Sequence, residues 1–133
     1  MRKRLQERYR LGIDSISLHT QDKRHQREDD FILIVQRAIL ENLDNTDFNT
    51  DQLCRYLGMS ASQLYRKLKA LTGKSTAIYI RSIRLAKAVE LIRQSEKSIS
   101  EIAYEVGFKD PAYFSRCFSD AYGQSPKSFR NKS

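Results

Sequence analysis

The 133-residue sequence has few of the residues that build a metal site, a disulfide framework or a membrane anchor. Its two cysteines, Cys54 and Cys117, form no CxxC, and its two histidines, His19 and His25, lie in a polar N-terminal stretch. Without zinc-ligand spacing or paired thiols, a reducing compartment is favoured. No apolar run approaches the roughly 18 residues needed to cross a bilayer. We therefore expect a cytoplasmic protein without a metal or other cofactor.

The charged residues are predominantly basic. Lys and Arg number 24 against 16 Asp and Glu, which gives a formal net charge of +8. Such a balance favours an anionic partner, either nucleic acid or an acidic membrane surface. RNA recognition usually uses exposed aromatic platforms, whereas most aromatic residues here lie at core spacing. A non-specific nucleic-acid binder or a protein-interaction module is the alternative to a protein that recognises a specific DNA duplex.

Apolar spacing changes sharply after the first 27 residues. Residues 1–27 are mostly polar, and we interpret them as an N-terminal connector. From residue 28, Ile32, Val35 and Ile39 recur at helical spacing behind three acidic residues, as a helix N-terminus prefers. This helix is expected to reach about residue 43. Later apolar segments are helical too, which predicts an all-α domain over residues 28–133.

Two short helices and one long helix are predicted next. Asn49 or Thr50 caps the first short helix and Ser60 caps the second, with a glycine between them. A short helix, a tight glycine turn and another short helix outline a helix-turn-helix. Ser75 then begins a longer helix that contains no Gly or Pro.

The second half of the sequence repeats the first. A displacement of 49 residues places Leu53 on Ile102, and beyond the turn a displacement of 50 places Arg66 on Arg116. The second turn is therefore one residue longer, around Pro111. Because apolar residues and glycines coincide where the motif needs them, we expect two helix-turn-helix units joined by one linker helix. Their expected limits are about 28–74 and 98–131, with the linker helix at about 76–94.

The length of the linker helix has a geometric consequence. At about 1.5 Å per residue, the linker would be a rod of about 28 Å. Successive major-groove segments on one face of DNA lie about 34 Å apart. A rigid rod of that order can present both recognition helices to one side of a duplex, so one chain could bind what a symmetric dimer usually binds.

The motifs of the second half resemble the DNA-binding domain of the AraC/XylS family of bacterial transcription regulators. The resemblance rests on residues 99–108 (ISEIAYEVGF), 113–118 (YFSRCF) and 123–126 (GQSP), followed by Phe129 and Arg130. It extends from about residue 28 to the end of the sequence. It implies an all-α DNA-binding fold and a role in transcription regulation, with double-stranded DNA and RNA polymerase at promoters as partners.

A narrower resemblance lies in residues 59–73 (MSASQLYRKLKALTG), which look like the output domain of hybrid two-component regulators. The basic stretch from Arg2 to Arg10 is similar to the segment that follows a receiver in such proteins. The resemblance implies a C-terminal output domain of a longer signalling protein. Dimerisation and control would then lie in segments N-terminal to this chain.

Resemblance and helical geometry together indicate which residues contact bases. In the first unit they are Ser62, Gln63, Tyr65 and Arg66, and in the second unit Pro111, Ala112, Tyr113 and Arg116. Arg66 could hydrogen-bond a guanine edge twice, Gln63 could pair with adenine, and Ala112 could pack on a thymine methyl. Tyr113 is interpreted as more core than contact, although its ring could do both. The second face has fewer donors, so it should discriminate less.

Phosphate contacts are expected from basic residues and from one helix start. The candidates are Lys67, Lys69, Ser75, Thr76, Arg81, Arg84 and Lys109. Ser75 and Thr76 begin the linker helix, where backbone amides and the helix dipole favour an anion. Ordinary surface charge is the competing interpretation for the arginines and for Lys109.

An enzymatic function is disfavoured. Cys54 and Cys117 lie on apolar helical faces without an adjacent His, which disfavours an activated thiolate. No catalytic dyad and no phosphate-binding loop is found in the sequence. We therefore expect a DNA-binding protein that is not an enzyme.

Overall fold

A computed structural model describes residues 22–132 of the chain. That part of the chain contains seven helices and no strand, which confirms the predicted all-α class. The helices are α1 (Asp22–Glu41), α2 (Thr50–Leu57), α3 (Ala61–Thr72), α4 (Thr76–Gln94), α5 (Ile99–Glu105), α6 (Pro111–Tyr122) and α7 (Pro126–Lys132). No helix within residues 22–132 combines the length and the apolar character needed to cross a bilayer.

Helix α1 begins before the apolar pattern does. The expected start at residue 28 is too late, because the helix already includes the polar residues from Asp22 onward. Contacts one turn apart support this extension: Gln26 Nε2 donates to Asp30 Oδ1 at 3.1 Å. The connector predicted over residues 1–27 otherwise lies outside the described residues. Its division from a domain over residues 28–133 stays a prediction.

Side-chain caps set the starts of the next helices where the sequence indicates them. Asn49 accepts a hydrogen bond from the Gln52 amide at 3.1 Å, so Asn49 rather than Thr50 caps α2. Ser60 caps α3 and Ser75 caps α4, each through its side-chain oxygen. Between α2 and α3, Gly58 adopts a φ of 66°, a left-handed conformation that costs glycine nothing.

The linker helix α4 is shared by two hydrophobic cores. The first core joins α1, α2 and α3 to the N-terminal half of α4, where Tyr79 and Ile80 are buried. The second joins α5 and α6 to its C-terminal half through Leu85, Ala88 and Ile92. Each helix-turn-helix unit therefore packs on its own half of one continuous helix, as the repeat predicted.

Helix α7 was not predicted from the sequence. It has only seven residues, too few to show an apolar period. Pro126 is buried, and the Phe129 ring meets the Phe118 ring edge-on at 5.6 Å between centroids. Arg130 holds the end of α4, because its guanidinium donates to the Ser95 and Lys97 carbonyls. The helix thus closes the open end of the second core.

Candidate nucleic-acid interface

Helix α3 has one buried side and one fully exposed side. Leu64, Leu68 and Leu71 are buried in the first core. At 3.6 residues per turn, Ser62 and Arg66 lie on the opposite side, and both are exposed. Lys69 continues the same stripe one turn later, and Tyr65 is exposed at its edge. The outward face of the second helix of the first unit therefore carries hydroxyl, guanidinium and ammonium donors.

Three of the predicted contact residues on α3, Gln63, Lys67 and Lys69, already have structural partners, and Lys69 Nζ donates to the Gly73 carbonyl at 3.2 Å. Gln63 Oε1 accepts from the Ser60 amide at 3.0 Å, which completes a capping box at the start of α3. Its carboxamide can meet an adenine edge through both atoms only after leaving that cap. Lys67 Nζ lies 4.5 Å from the centre of the Phe31 ring, on the flank of α3 that faces α1.

Helix α6 repeats this arrangement with fewer donors. Phe114, Cys117 and Phe118 are buried in the second core. Ala112 and Arg116 lie on the opposite side and are exposed, at the positions that correspond to Ser62 and Arg66. Pro111 occupies the first turn and is half-buried. Apart from Arg116, this stripe is therefore largely without strong donors.

Tyr113 lies at the surface, at the edge of the second core. Its side chain is 42% exposed, so it is not buried in the core, although its ring centre lies 5.9 Å from that of the buried Phe108. A base contact by Tyr113 stays a prediction. Its hydroxyl accepts from Arg81 Nη1 at 3.2 Å, and the Arg116 guanidinium carbon lies 5.7 Å from the ring centre. Tyr113 follows the outward-facing Ala112 by one residue, so its side chain points sideways from α6 and reaches Arg81 on α4. These contacts connect the linker helix with the second recognition helix.

A cleft of about 600 Å³ opens between the two units. The residues that line it include Phe48, Asn49, Arg81, Lys109, Tyr113 and Arg116. Lys109 Nζ lies 3.1 Å from Asp47 Oδ1, so an exposed ion pair spans the same junction. This ion pair could not be predicted from the sequence, because its members lie in two separate turns.

The start of α4 offers backbone rather than side-chain contacts. Ser75 Oγ already accepts from the Ile78 amide at 3.3 Å. Thr76 is only 4% exposed, and its hydroxyl oxygen is buried without a hydrogen-bond partner. Any phosphate at this helix start would therefore meet backbone amides. That remains compatible with the contact predicted for these two residues.

Arg84 is not available to a phosphate, so that assignment is wrong. Its side chain is 5% exposed, and burial lowers the pKa of its guanidinium. All four hydrogen bonds that it donates end on backbone carbonyls. A signal was present in the sequence, because Arg84 follows Ile80 by four residues and precedes Ala88 by four on the buried side of α4.

The two cysteines pack as small apolar residues. Cys54 and Cys117 are both buried and unpaired, one in each core. Their burial agrees with the interpretation that neither is a reactive thiol. Within residues 22–132, no group of three or more metal-binding side chains comes together.

Comparison with known proteins identifies the family. A model described as a helix-turn-helix domain matches residues 53–132, more than half of the chain. The chain is an AraC-family helix-turn-helix domain. Members of this family bind DNA and regulate transcription, and the residues matched here form a DNA-binding domain of that family. The family is one of transcription regulators and not a class of enzymes.

Three known proteins show where such domains occur. Histidine kinase P4 from Formosa agariphila is 34% identical over 96 residues, which are 72% of this chain and 7% of the kinase. The C-terminal domain of the two-component response regulator yesN from Fusobacterium nucleatum is 30% identical, with a TM-score of 0.69, covering 76% of this chain and 98% of that one. The DNA-binding domain of the global transcriptional factor AdpA, solved with a target DNA, is 27% identical, with a TM-score of 0.69, covering 75% and 89%.

The AraC-family domain is short beside its curated relatives. It spans less than half of the length of those it matches, from 7% to 42%. The similarity therefore concerns the DNA-binding part of these proteins. The functions of the other parts of these relatives do not follow from the matched residues.

Proposed function

We propose that this domain binds a specific double-stranded DNA site by inserting α3 and α6 into successive major-groove segments. One observation carries the proposal: the second helix of each unit exposes an arginine, Arg66 or Arg116, at the same position opposite its buried face. The two helices are joined through α4, a helix of 19 residues. At about 1.5 Å per residue α4 is about 28 Å long, of the order of one turn of DNA.

The first unit would supply most of the base recognition. Arg66 is exposed and can donate two hydrogen bonds to the O6 and N7 atoms of guanine. Ser62 lies one turn before it and Tyr65 beside it, both exposed. Gln63 would contribute only by giving up its bond to the Ser60 amide, which makes it the weakest candidate of the set.

The second unit would recognise shape and apolar groups more than donors and acceptors. Ala112 and Pro111 offer methyl and methylene groups that fit a thymine methyl. Arg116 and Tyr113 stand together, and Arg81 holds the tyrosine hydroxyl. This preordered group costs little side-chain entropy on binding.

Phosphate contacts would lie where the DNA backbone passes between the two segments. Arg81 and Lys109 line the cleft between the units, and both carry positive charge. Lys69 donates to the Gly73 carbonyl at 3.2 Å near the end of α3, from where its ammonium can also reach an adjacent phosphate. Contacts of this kind fix position without selecting sequence.

The domain is proposed to be the output part of a two-component signalling protein. Support comes from the similarity to the histidine kinase of Formosa agariphila and to the C-terminal domain of the response regulator yesN. In such a protein, signalling and dimerisation would come from other segments of the polypeptide. The domain would act in the cytoplasm and would recruit or block RNA polymerase at the promoters it binds.

The test is selection of bound duplexes from a random DNA pool at near-physiological salt. We expect two short enriched blocks with centres about 10 base pairs apart. Arg66→Ala should blur one block and Arg116→Ala the other, whereas Arg37→Ala, an exposed arginine on α1, should change neither. Binding that falls steeply with salt and enriches no sequence would instead indicate a general polyanion binder.

A further inference from the structure

The buried guanidinium of Arg84 lies at the junction of the two units. Its Nη2 donates to the carbonyls of Asn45 at 3.2 Å and Phe48 at 3.0 Å, in the segment that connects α1 with α2. Its Nη1 donates to the Leu43 carbonyl at 2.5 Å and to the Val106 carbonyl at 2.7 Å. Val106 ends the first helix of the second unit. One side chain of the linker helix therefore bonds both units at once.

The position of Arg84 along α4 coincides with the division between the two cores. Ile80 belongs to the first core and Leu85 to the second. Each unit packs on its own half of α4, but packing on a helix leaves some freedom of rotation about its axis. Leu43 of the first unit also packs against the second core, an apolar contact without fixed direction. A planar guanidinium adds bonds in several fixed directions, which restrict that rotation.

The turn of the second unit lies in close contact with the Arg84 guanidinium. Gly107 has a φ of 94°, and a Cβ at this position would overlap both the Arg84 guanidinium and the Leu43 carbonyl oxygen. Only glycine lets the second turn approach the first unit so closely. The ion pair between Lys109 and Asp47 spans the same junction but is exposed, at 68% and 78%, and contributes little.

We propose that Arg84 is a positioning residue that fixes the relative placement of α3 and α6, and with it the spacing between the two DNA segments that the domain accepts. This inference rests on the proposed binding of two major-groove segments. A lysine could not replace Arg84, because one ammonium cannot reach carbonyls on both sides of the junction in the directions that the guanidinium does.

Arg130 provides a matched control. Its guanidinium also donates to three backbone carbonyls, those of Ile92, Ser95 and Lys97. All three lie at or just beyond the C-terminal end of α4, so Arg130 joins parts of the second unit only. Loss of Arg130 should remove similar hydrogen bonds without releasing one unit from the other.

The first measurement uses duplexes that carry the two selected blocks at spacings varied base pair by base pair. Wild type and Arg130→Met should prefer one spacing. If Arg84→Met or Arg84→Lys leaves about a tenth of the molecules correctly arranged, affinity at that spacing falls about tenfold. Affinity for a duplex with a single block should not change. An unchanged spacing preference in both Arg84 variants would overturn the inference.

The second measurement needs no DNA. Spin labels at Arg55→Cys on α2 and Asp120→Cys on α6, with Cys54→Ala and Cys117→Ala, report the distance between the units. We expect one narrow distance distribution for the otherwise unchanged chain and for Arg130→Met, and a broad one for Arg84→Met and Arg84→Lys. A distribution that stays narrow, or failure of both Arg84 variants to fold, rejects the positioning role.

The two measurements distinguish a failure of the positioning role from a failure of the proposed function. If the distribution broadens in the Arg84 variants but no duplex with two blocks is ever enriched, the positioning role stands and the proposed two-segment binding is wrong. If two blocks are enriched and the Arg84 variants keep both the spacing preference and the narrow distribution, the proposed function stands and the positioning role is wrong.

Discussion

The two units share one helical plan and fill it with different residues. The first core is aliphatic at its centre, with Leu53, Leu64 and Leu68 fully buried. The second is aromatic: the rings of Phe114 and Phe118 lie 5.8 Å apart, and Phe108 and Phe129 extend the contact on either side. The repeat therefore preserves which positions are buried and leaves free which apolar residue occupies them.

The units also differ in what their turns do. The first turn places Gly58 in open space, where an added Cβ would meet nothing within 4 Å. The second turn is one residue longer and places Gly107 against Arg84. The first turn only connects two helices, whereas the second also takes part in the contact between the units.

The largest expected effect concerns the two cores. Phe118→Ala should lower the free energy of unfolding by about 3–5 kcal/mol, and Leu68→Ala, at the corresponding position, by about 2–5 kcal/mol. Phe118→Ala should destabilise the fold more than Leu68→Ala, because it leaves a larger cavity and the rigid neighbouring rings cannot move to fill it. Urea denaturation of both variants measures the difference. A larger loss for Leu68→Ala would show that the aromatic core repacks more easily than the aliphatic one.

The turn glycines should give the next largest effect. Gly58→Ala should cost about 1–2 kcal/mol, the strain of a left-handed conformation. Gly107→Ala carries that strain and also forces the Arg84 guanidinium and the Leu43 carbonyl apart, which adds about 1–3 kcal/mol of overpacking. Thermal and urea unfolding of the two variants make the comparison. Equal losses would mean that the second turn can shift without cost.

Replacement of Arg66 and Arg116 should show which of the two outward helix faces discriminates more strongly between base pairs. Arg66→Ala should cost about 1–3 kcal/mol of discrimination at one base pair of the site. Arg116→Ala should cost less discrimination, because the rest of the α6 face carries few donors. Competition binding with single-base variants of the selected site measures both. Greater loss of discrimination from Arg116→Ala would reverse the assignment of the two units.

Much of the fold was predictable because its signals are local. Ser60 and Ser75 are caps, and Gly58 marks a turn, each from its own chemistry and immediate neighbours. The buried positions follow from apolar spacing, which is a property of single helices. The main element that the sequence did not predict is α7, which has too few residues to show an apolar period.

The junction and part of the candidate site were not predictable, because they depend on distant segments. The spacing of Arg84 on α4 indicates its burial, but the carbonyls that it bonds lie 22 to 41 residues away and carry no local signal. The hydrogen bond between Arg81 and the Tyr113 hydroxyl joins α4 with α6, which no local pattern indicates. The capping role of Gln63 is local and was available from the Ser60 spacing, but its polar character favoured a base contact instead.

The smallest expected effect compares the two capping boxes. Ser60 and Gln63 form a neutral box at the start of α3, and Ser98 and Glu101 form a charged one at the start of α5. The Ser98 amide donates to Glu101 Oε1 at 2.8 Å. This hydrogen bond, followed by one from the Ser98 side chain and by the charge of Lys97, lowers the pKa of Glu101.

A lowered pKa in the folded state means that the Glu101 carboxylate stabilises the fold at a pH above the ordinary glutamate pKa, about 4.3, and loses that effect as pH falls through the folded-state pKa. Glu101→Gln should therefore be slightly less stable than wild type at neutral pH, and the difference should vanish in acid. Urea denaturation of both proteins across this range isolates the effect, because the other carboxylates titrate in both. A difference that persists at the lowest pH would mean that the carboxylate's charge contributes nothing, and that the two boxes act alike.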